Sequence, residues 1–598
     1  MATVASSRPS GISRKRINAI LLVCLLLAVL TTRQLVGIQI YKQADNRDLS
    51  AGVREELSMH EVLQPRRGTI YDRDGTPLAL DVDRDSLYVE PPRIMEPEKL
   101  AIVLAPIIGQ DVDSVLKTLT DKNQEWTRLA RWLTPEAAAK VKLLGTNGIL
   151  PDGLHLIPEA QRAYPQGSFA ARIVGVANHE GEGISGVEAF YDDQIKGITG
   201  TLQAEQDAAQ RPIWIAPQHV NEPQDGADLT LTIDSSVQRI IERELADAIA
   251  KHHADGGAIV VMDPYTGEIL GMASNGSFDP NHYTEVDPSL YNHNPVLTDV
   301  YEPGSTFKII LTAMGLQTGK FSAGTTVDDK GCIIRYGSRL CNWNLASNGA
   351  VTPAKMLYYS SNVAALQFAE ILGRNDFYKF VKLFGYGQRT NVDLAGEATG
   401  LVNWPVTSKW SPLTLDTNAY GQSIAVTPLQ HLTAISAVAN GGMLMQPHVV
   451  MRECKGTQCN DVKPQVVRRV VDQGVTDQIR SMLVDNSMNY APVVWGPITG
   501  SYAKVPLVPG YRVTAKTGTS SIPIPGGYDP NGTIGSVVGW APAENPRVSV
   551  LIKIDRPKDD PWGVNTAIPV YQKVVSQLMA YYRLPPNPDL IAPSQVGK

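Results

Sequence analysis

The sequence predicts an α+β protein carried on an N-terminal membrane anchor, and three observations predict it. A basic cluster, Arg8, Arg14, Lys15 and Arg16, precedes an apolar run from Ile17 to Leu30. Strand-like segments stand at both ends of a long C-terminal region, with helical stretches between them, the pattern of an antiparallel sheet with segregated helices. The 598 residues exceed what one hydrophobic core organises, so two or more soluble domains are expected. Hydrophobic residues make up 43% and charged residues 19%, ordinary values for a globular protein. A net charge of -6 gives no electrostatic reason to expect a nucleic-acid partner.

The anchor comes first in the chain. Ile17–Leu30 alone is short of the roughly 20 apolar residues a bilayer core requires. Apolar character resumes at Leu35-Val36-Gly37-Ile38 after Thr31-Thr32-Arg33-Gln34. One span is therefore expected, with Arg33 snorkelling at the outer interface. The leading basic residues assign the N-terminus to the cytoplasm and the bulk to the periplasmic side of the inner membrane. A cleaved signal peptide is the alternative, but no small-x-small site follows Leu30.

Residues 1–40 are thus read as tail and anchor, and 41–225 as a domain of mixed character. Residues 226–582 form the α+β domain, and 583–598, rich in Pro and polar residues, a disordered tail. In 41–225, residues 64–75 read as a strand running into an Asp74-Gly75 turn. A helical stretch covers 97–119, and 181–200 is Gly-rich. No catalytic constellation stands there. Beyond 225, Leu229–Ile233 alternates like a strand, and Asp234 can cap a helix through Ala250. Gly257–Pro264 and Glu268–Ala273 read as a hairpin. Helices fill about 305–445. Strands return at Ile534–Trp540 and Arg547–Ile554, with Tyr511–Ala515 a plausible edge strand.

Cys24 lies in the span. The other four cysteines form two close pairs, Cys332 with Cys341 and Cys454 with Cys459. Neither pair has zinc-ribbon spacing or a His close by, so local disulfides or free thiols are favoured over a metal. No metal site and no cofactor is expected.

Three short motifs carry chemistry. Pro303-Gly304 makes a turn from which Ser305 opens an apolar helix, and residues three apart share a helix face, so Ser305 and Lys308 can meet. A serine hydroxyl needs a base. A lysine serves only when neutral, a state that burial and a neighbouring cation both favour. Ser360-Ser361-Asn362 begins another helix. Lys516-Thr517-Gly518-Thr519 stands at a strand end, where Gly518 lets a ligand approach the backbone. Each motif alone is a weak signal. Ser114–Lys117 and Ser487–Asn489 repeat two of the patterns and are read as surface positions. The ordered conjunction of S-x-x-K, S-x-N and a single K-T-G is far more specific.

With these motifs the chain resembles a class B penicillin-binding protein. Arg66-Arg67-Gly68-Thr69-Ile70-Tyr71-Asp72-Arg73-Asp74-Gly75, Arg162-Ala163-Tyr164-Pro165 and Gly186-Val187-Glu188 are similar to that family's pedestal motifs. Tyr301-Glu302-Pro303-Gly304-Ser305 is closer to its septal, FtsI-like branch than to the elongation branch. The resemblance implies an elongated pedestal on a transmembrane helix, then a transpeptidase domain with an antiparallel sheet flanked by helices, like serine β-lactamases. It implies that Ser305 attacks the D-Ala-D-Ala bond of a peptidoglycan stem peptide and Lys308 takes its proton. Ser360 would relay a proton to the departing D-alanine, and Asn362 would hold the substrate amide. Lys516, Thr517 and Thr519 would bind the terminal carboxylate. The backbone N–H groups of Ser305 and Thr519 would form the oxyanion hole. The amine of a second stem peptide would accept the acyl group, and β-lactams would acylate Ser305. A membrane glycan polymerase and division proteins are the implied partners.

Other readings remain beside it. A class A β-lactamase needs a deacylating Glu, and Glu397-Ala398-Thr399-Gly400-Leu401 does not resemble that loop. An elongation-type enzyme and a D,D-carboxypeptidase share the motifs. A non-catalytic β-lactam-binding scaffold would tolerate broken motifs, and all three are intact. A sensor would add a cytoplasmic domain, and 16 residues precede the span.

Overall fold

The computed structural model describes residues 14–39, 43–44, 47–48, 58–145, 150–205, 219–499 and 504–591. The chain divides into two compact units, residues 1–65 with 198–224, and residues 66–197 with 225–598.

In the first unit, Arg14–Gln39 is one helix of 26 residues, about 39 Å at 1.5 Å per residue and long enough to cross a bilayer. The polar break at Thr31-Thr32 does not interrupt it. Thr31 Oγ1 donates to the Leu27 carbonyl at 2.9 Å and Thr32 Oγ1 to the Ala28 carbonyl at 2.7 Å, so both hydroxyls are satisfied within the helix. In the same unit Gly200–Glu205 pairs antiparallel with Ser58–Leu63 and with His219–Asn221.

The second unit is built on two sheets. One has five antiparallel strands in the order Ile269–Ser274, Gly256–Met262, Val548–Asp555, Gly527–Ala541, Lys516–Ile524. Helices cover both its faces, which is why its central strands are apolar throughout rather than alternating. Ala258, Val260 and Met262 pack into the core shared with helices Lys308–Thr318 and Pro428–Ala439. Ile259 and Val261 pack into the core shared with Ser235–His252 and Gly563–Tyr581. Asp234 caps Ser235–His252 as expected, accepting from Ser236 N at 2.9 Å and Val237 N at 3.1 Å.

The second sheet crosses the expected boundary at 225. Its order is Gln458–Asp461, Val450–Lys455, Asp228–Leu231, Ile70–Tyr71, Pro77–Val89, Thr127–Ala130, with Leu154–Ala163 also on Pro77–Val89. Asp228–Leu231 lies parallel to Ile70–Tyr71 and antiparallel to Val450–Lys455. Thr232 then joins this sheet to the five-stranded one: its N–H donates to the Val449 carbonyl at 2.7 Å, and its hydroxyl to the Ile269 carbonyl at 2.6 Å.

The three pedestal motifs meet around one buried carboxylate. Glu188 accepts from Arg67 Nε at 2.6 Å and Arg162 Nε at 2.7 Å, with Tyr164 OH at 3.3 Å. Arg67 also pairs with Asp192 and Arg162 with Asp81. Against the cost of burial, the two guanidiniums hold the Glu188 carboxyl below the usual range. These motifs are structural.

Several expectations are corrected. The stretch 97–119 is two helices, Pro97–Ile108 and Val112–Thr120, broken at Gly109 in the left-handed region. Tyr511–Ala515 is not a strand; the edge strand starts at Lys516. Residues 583–591 are ordered: Gly510 N donates to the Leu590 carbonyl and Asn587 N to the Gly510 carbonyl at 2.8 Å. The rest of the expected tail, 592–598, lies outside the described residues. Both cysteine pairs are disulfides, closing the hairpins Cys332–Arg335 with Ser338–Cys341 and Val450–Lys455 with Gln458–Asp461.

Candidate active site

Ser305 sits in a short 3-10 turn, Gly304–Phe307, that runs directly into helix Lys308–Thr318. Gly304 enters the turn at φ 56°, where a side chain is disfavoured. Lys308 is fully buried. Its Nζ lies 2.9 Å from Ser305 Oγ, 2.7 Å from the Ser360 carbonyl and 2.8 Å from Asn362 Oδ1. Burial, and then the charge of Lys516, push its pKa well below the ordinary lysine value, with Asp329 opposing.

Ser360 caps helix Pro353–Tyr359 at φ 54°, ψ 39°. That left-handed conformation costs a non-glycine residue on the order of 1–3 kcal/mol. It turns both the Ser360 carbonyl and its hydroxyl to the lysines: Lys516 Nζ donates to Ser360 Oγ at 3.0 Å, and Lys308 Nζ stands 3.4 Å from it. Asn362 is aimed by its other end, Nδ2 donating to the Cys341 carbonyl at 3.0 Å.

A buried polar network holds this turn, and no sequence motif announced it. Ser361 caps helix Asn362–Leu372, accepting from Ala364 N at 2.9 Å and donating to Asp329 Oδ2 at 2.7 Å. Asn342 Oδ1 accepts from Asn362 N at 2.9 Å and Val363 N at 3.1 Å, while its Nδ2 donates to both Asp329 oxygens at 2.8 Å. Against burial, hydrogen bonds from Asn348, Ser361, Gly331 N–H and Asn342 keep Asp329 below the usual carboxylate range. Two helix-start N–H groups, and Ser361 beside the strained Ser360, are thus fixed by residues 20 to 32 positions away.

The strand Lys516–Ile524 forms the opposite wall. Thr517 and Thr519 line the cavity. Gly518 does not: a Cβ there would meet the Pro303 carbonyl at 2.7 Å and Ser536 Oγ at 2.6 Å. Its bare backbone lets the Ser305 turn pack on the strand. Tyr490, buried on helix Gln473–Thr499, ties this strand down. Its phenol oxygen is 3.1 Å from Thr517 Oγ1 and 3.4 Å from Lys516 Nζ, and accepts from Asn486 Nδ2 at 3.0 Å. Against burial, Lys516 and these hydrogen bonds hold its pKa below the ordinary phenol value.

All three motifs therefore face one cavity of about 390 Å³. Trp343 and Trp562 meet edge to face at its wall, with ring centres 5.5 Å apart. The repeated patterns divide. Ser114 and Lys117 are exposed on a surface helix. Ser487 is buried, donating to the Val484 carbonyl, and Asn489 lines the cavity, so these two are not surface positions. Glu397 is outside the cavity. Its carboxylate accepts from Thr390 N at 2.7 Å, Thr390 Oγ1 at 2.6 Å and Asn391 N at 3.1 Å, an ordinary turn-closing role. Among the described residues no group of three or more His, Cys, Asp or Glu is arranged to hold a metal.

Comparison with known proteins gives a consistent picture. The family model of the penicillin binding protein transpeptidase domain matches residues 257–580, and that of the penicillin-binding protein dimerisation domain residues 62–231. Stage V sporulation protein D of Bacillus subtilis is 33% identical over 585 residues, 97% of this chain and 87% of its own. Peptidoglycan D,D-transpeptidase FtsI of Buchnera aphidicola is 28% identical over 575 residues, 95% and 94% of the two chains. The crystal structure of penicillin binding protein 2X from Streptococcus thermophilus superposes with a TM-score of 0.72 at 22% identity, over 87% of this chain and 80% of that one.

Proposed function

This chain belongs to the class B penicillin-binding proteins, and we propose that it is a serine peptidoglycan D,D-transpeptidase in which Ser305 is the nucleophile. One observation carries the assignment. Two of the four neighbours of Lys308 Nζ, the Ser360 carbonyl at 2.7 Å and Asn362 Oδ1 at 2.8 Å, can only accept. A neutral amine has two hydrogens and one lone pair. With both hydrogens so engaged, the lone pair is left for the Ser305 hydroxyl at 2.9 Å, and burial beside Lys516 favours that neutral state.

The steps follow from this arrangement. Lys308 takes the proton as Ser305 Oγ attacks the carbonyl between the terminal D-alanines. The N–H groups of Ser305 and Thr519 stabilise the oxyanion. Ser360, within reach of both lysines, delivers a proton to the departing D-alanine nitrogen. Lys516, Thr517 and Thr519 hold the terminal carboxylate, and the second Asn362 amide hydrogen is available to the stem-peptide backbone. Gly518 serves by letting the turn and strand close together. The amine of a second stem peptide then attacks the acyl-enzyme and regenerates Ser305. A β-lactam acylates Ser305 by the first half of the same path.

The apolar helix Arg14–Gln39 serves as a single-pass anchor, oriented with Arg14, Lys15 and Arg16 in the cytoplasm. The remainder then works outside the cytoplasm, beside a membrane glycan polymerase and division proteins. Glu302 before the Pro-Gly turn favours the septal branch.

The test is covalent labelling. The purified protein and Ser305→Ala are exposed to a fluorescent penicillin and resolved by denaturing gel. A band in the wild type that persists for many minutes and is missing in the variant is expected. Rapid loss of label with drug turnover would favour a hydrolase, and no label on folded wild-type protein would overturn the assignment.

A further inference from the structure

Behind the nucleophile, on the side away from the cavity, lies a buried chain of three side chains that the mechanism above does not use. Thr306 Oγ1 donates to the Pro303 carbonyl at 2.7 Å and lies 2.8 Å from His431 Nε2. His431 Nδ1 lies 2.8 Å from Tyr386 OH. All three residues are fully buried. His431 belongs to helix Pro428–Ala439, while Tyr386 follows helix Arg374–Leu383 and packs on Phe307 with ring centres 5.4 Å apart.

The proton positions follow from valence. The Thr306 hydroxyl has one hydrogen, given to Pro303, so toward His431 it accepts and Nε2 carries a hydrogen. Burial lowers the His431 pKa to about 3, so the ring is neutral and Nδ1 accepts from the Tyr386 hydroxyl. Each donor meets one acceptor from Tyr386 to Pro303. A 3-10 turn has weaker internal hydrogen bonds than an α-helix, so the Ser305 turn depends on such external ties.

We propose that His431, locked by Tyr386, is a positioning residue for the nucleophile, holding the Pro303–Thr306 turn through the Thr306 hydroxyl. The proposal rests on the reading of Ser305 as nucleophile. It differs from a packing role because it needs a donor at Nε2 and a hydroxyl at 306, not just volume.

Rapid-mixing kinetics with a fluorescent penicillin separate the dissociation constant of the first complex from the acylation rate constant. Thr306→Val keeps the shape and removes the hydroxyl, while Thr306→Ser keeps the hydroxyl. His431→Leu removes the donor, and His431→Gln returns one near Nε2. Misplacement of a reacting group by a fraction of an ångström costs on the order of tenfold or more. The expected result is an acylation rate constant reduced about 10-fold or more in Thr306→Val and His431→Leu, with the first-complex constant within about 2-fold, and values within about 3-fold of wild type in Thr306→Ser and His431→Gln. If His431→Leu does not fold, the Thr306 pair decides alone. Wild-type acylation in Thr306→Val, or equal loss in Thr306→Ser and Thr306→Val, overturns the positioning role and leaves the Ser305 assignment standing. A wild-type protein that does not acylate overturns both.

Discussion

Replacing Lys516 should move the pH dependence of acylation as well as weaken it. Lys308 Nζ and Lys516 Nζ both lie on Ser360 Oγ, at 3.4 Å and 3.0 Å, so they are at most about 6.4 Å apart, those two distances end to end. Two unit charges at that separation repel by about 2.6 kcal/mol at an effective dielectric constant of about 20. Lys516 thus helps to keep Lys308 deprotonated. Without that charge the Lys308 pKa rises, and because Lys308 must be neutral to act, the rising acid limb of the acylation rate moves up in pH. The assay is the saturated acylation rate constant from pH 5 to 10 for the wild type, Lys516→Met and Lys516→Arg. Lys516→Arg keeps the charge and should keep the limb near its wild-type position even where carboxylate binding suffers. If Lys516→Met loses rate uniformly at every pH, with its limb where the wild type has it, Lys516 acts through binding alone and the electrostatic argument fails.

Three further outcomes are expected. Lys308→Met should lose acylation, and its stability relative to wild type should change with pH: the unfolded chain binds a proton that folded Lys308 does not, so the wild type gains stability as pH rises toward the unfolded lysine pKa near 10.4 and the variant lacks that gain, which denaturant titrations at pH 6, 8 and 10 would measure. Gly518→Ala drives a methyl group to 2.7 Å from the Pro303 carbonyl, and should slow acylation about 10-fold or more while costing about 1–3 kcal/mol of stability; an unchanged acylation rate would remove the role given to that contact. Glu188→Gln removes the charge that Arg67 and Arg162 share but leaves them Asp192 and Asp81, and should cost about 1–3 kcal/mol in denaturant unfolding with little effect on acylation per folded molecule; an unchanged stability would contradict the buried-network account.

The sequence announced those parts of the site that are local. Ser305 and Lys308 meet because they stand three positions apart on a helical path, and Asp234 caps its helix because its side chain reaches the N–H groups of Ser236 and Val237. The support for Ser360 was not legible. Asp329 and Asn342 reach Ser361 and Asn362 across a separate hairpin, and such contacts impose no period on the sequence. Tyr511–Ala515 has strand-like composition, yet ladder pairing begins only at Lys516, opposite Val538. The boundary at 225 marks a change in pattern, but Asp228–Leu231 completes its hydrogen bonding on Ile70–Tyr71, a pairing decided by tertiary placement. Glu188 read as part of a family motif; only the fold identifies it as the shared counter-ion of Arg67 and Arg162.

The sheet that runs from Pro77–Val89 through Asp228–Leu231 to Val450–Lys455 also has a mechanical meaning. A hinge needs a place where few bonds cross, and here the crossing is made by strand pairing on both sides of Asp228–Leu231. A pull on the pedestal strands therefore cannot be relieved by swinging. It loads the hydrogen-bond ladders, passes through Thr232 to Ile269, and arrives in the sheet whose far edge carries Lys516. A close-packed interior transmits such strain rather than absorbing it, so this part of the protein acts as a stiff strut, with the Lys516 edge at one end of its load path.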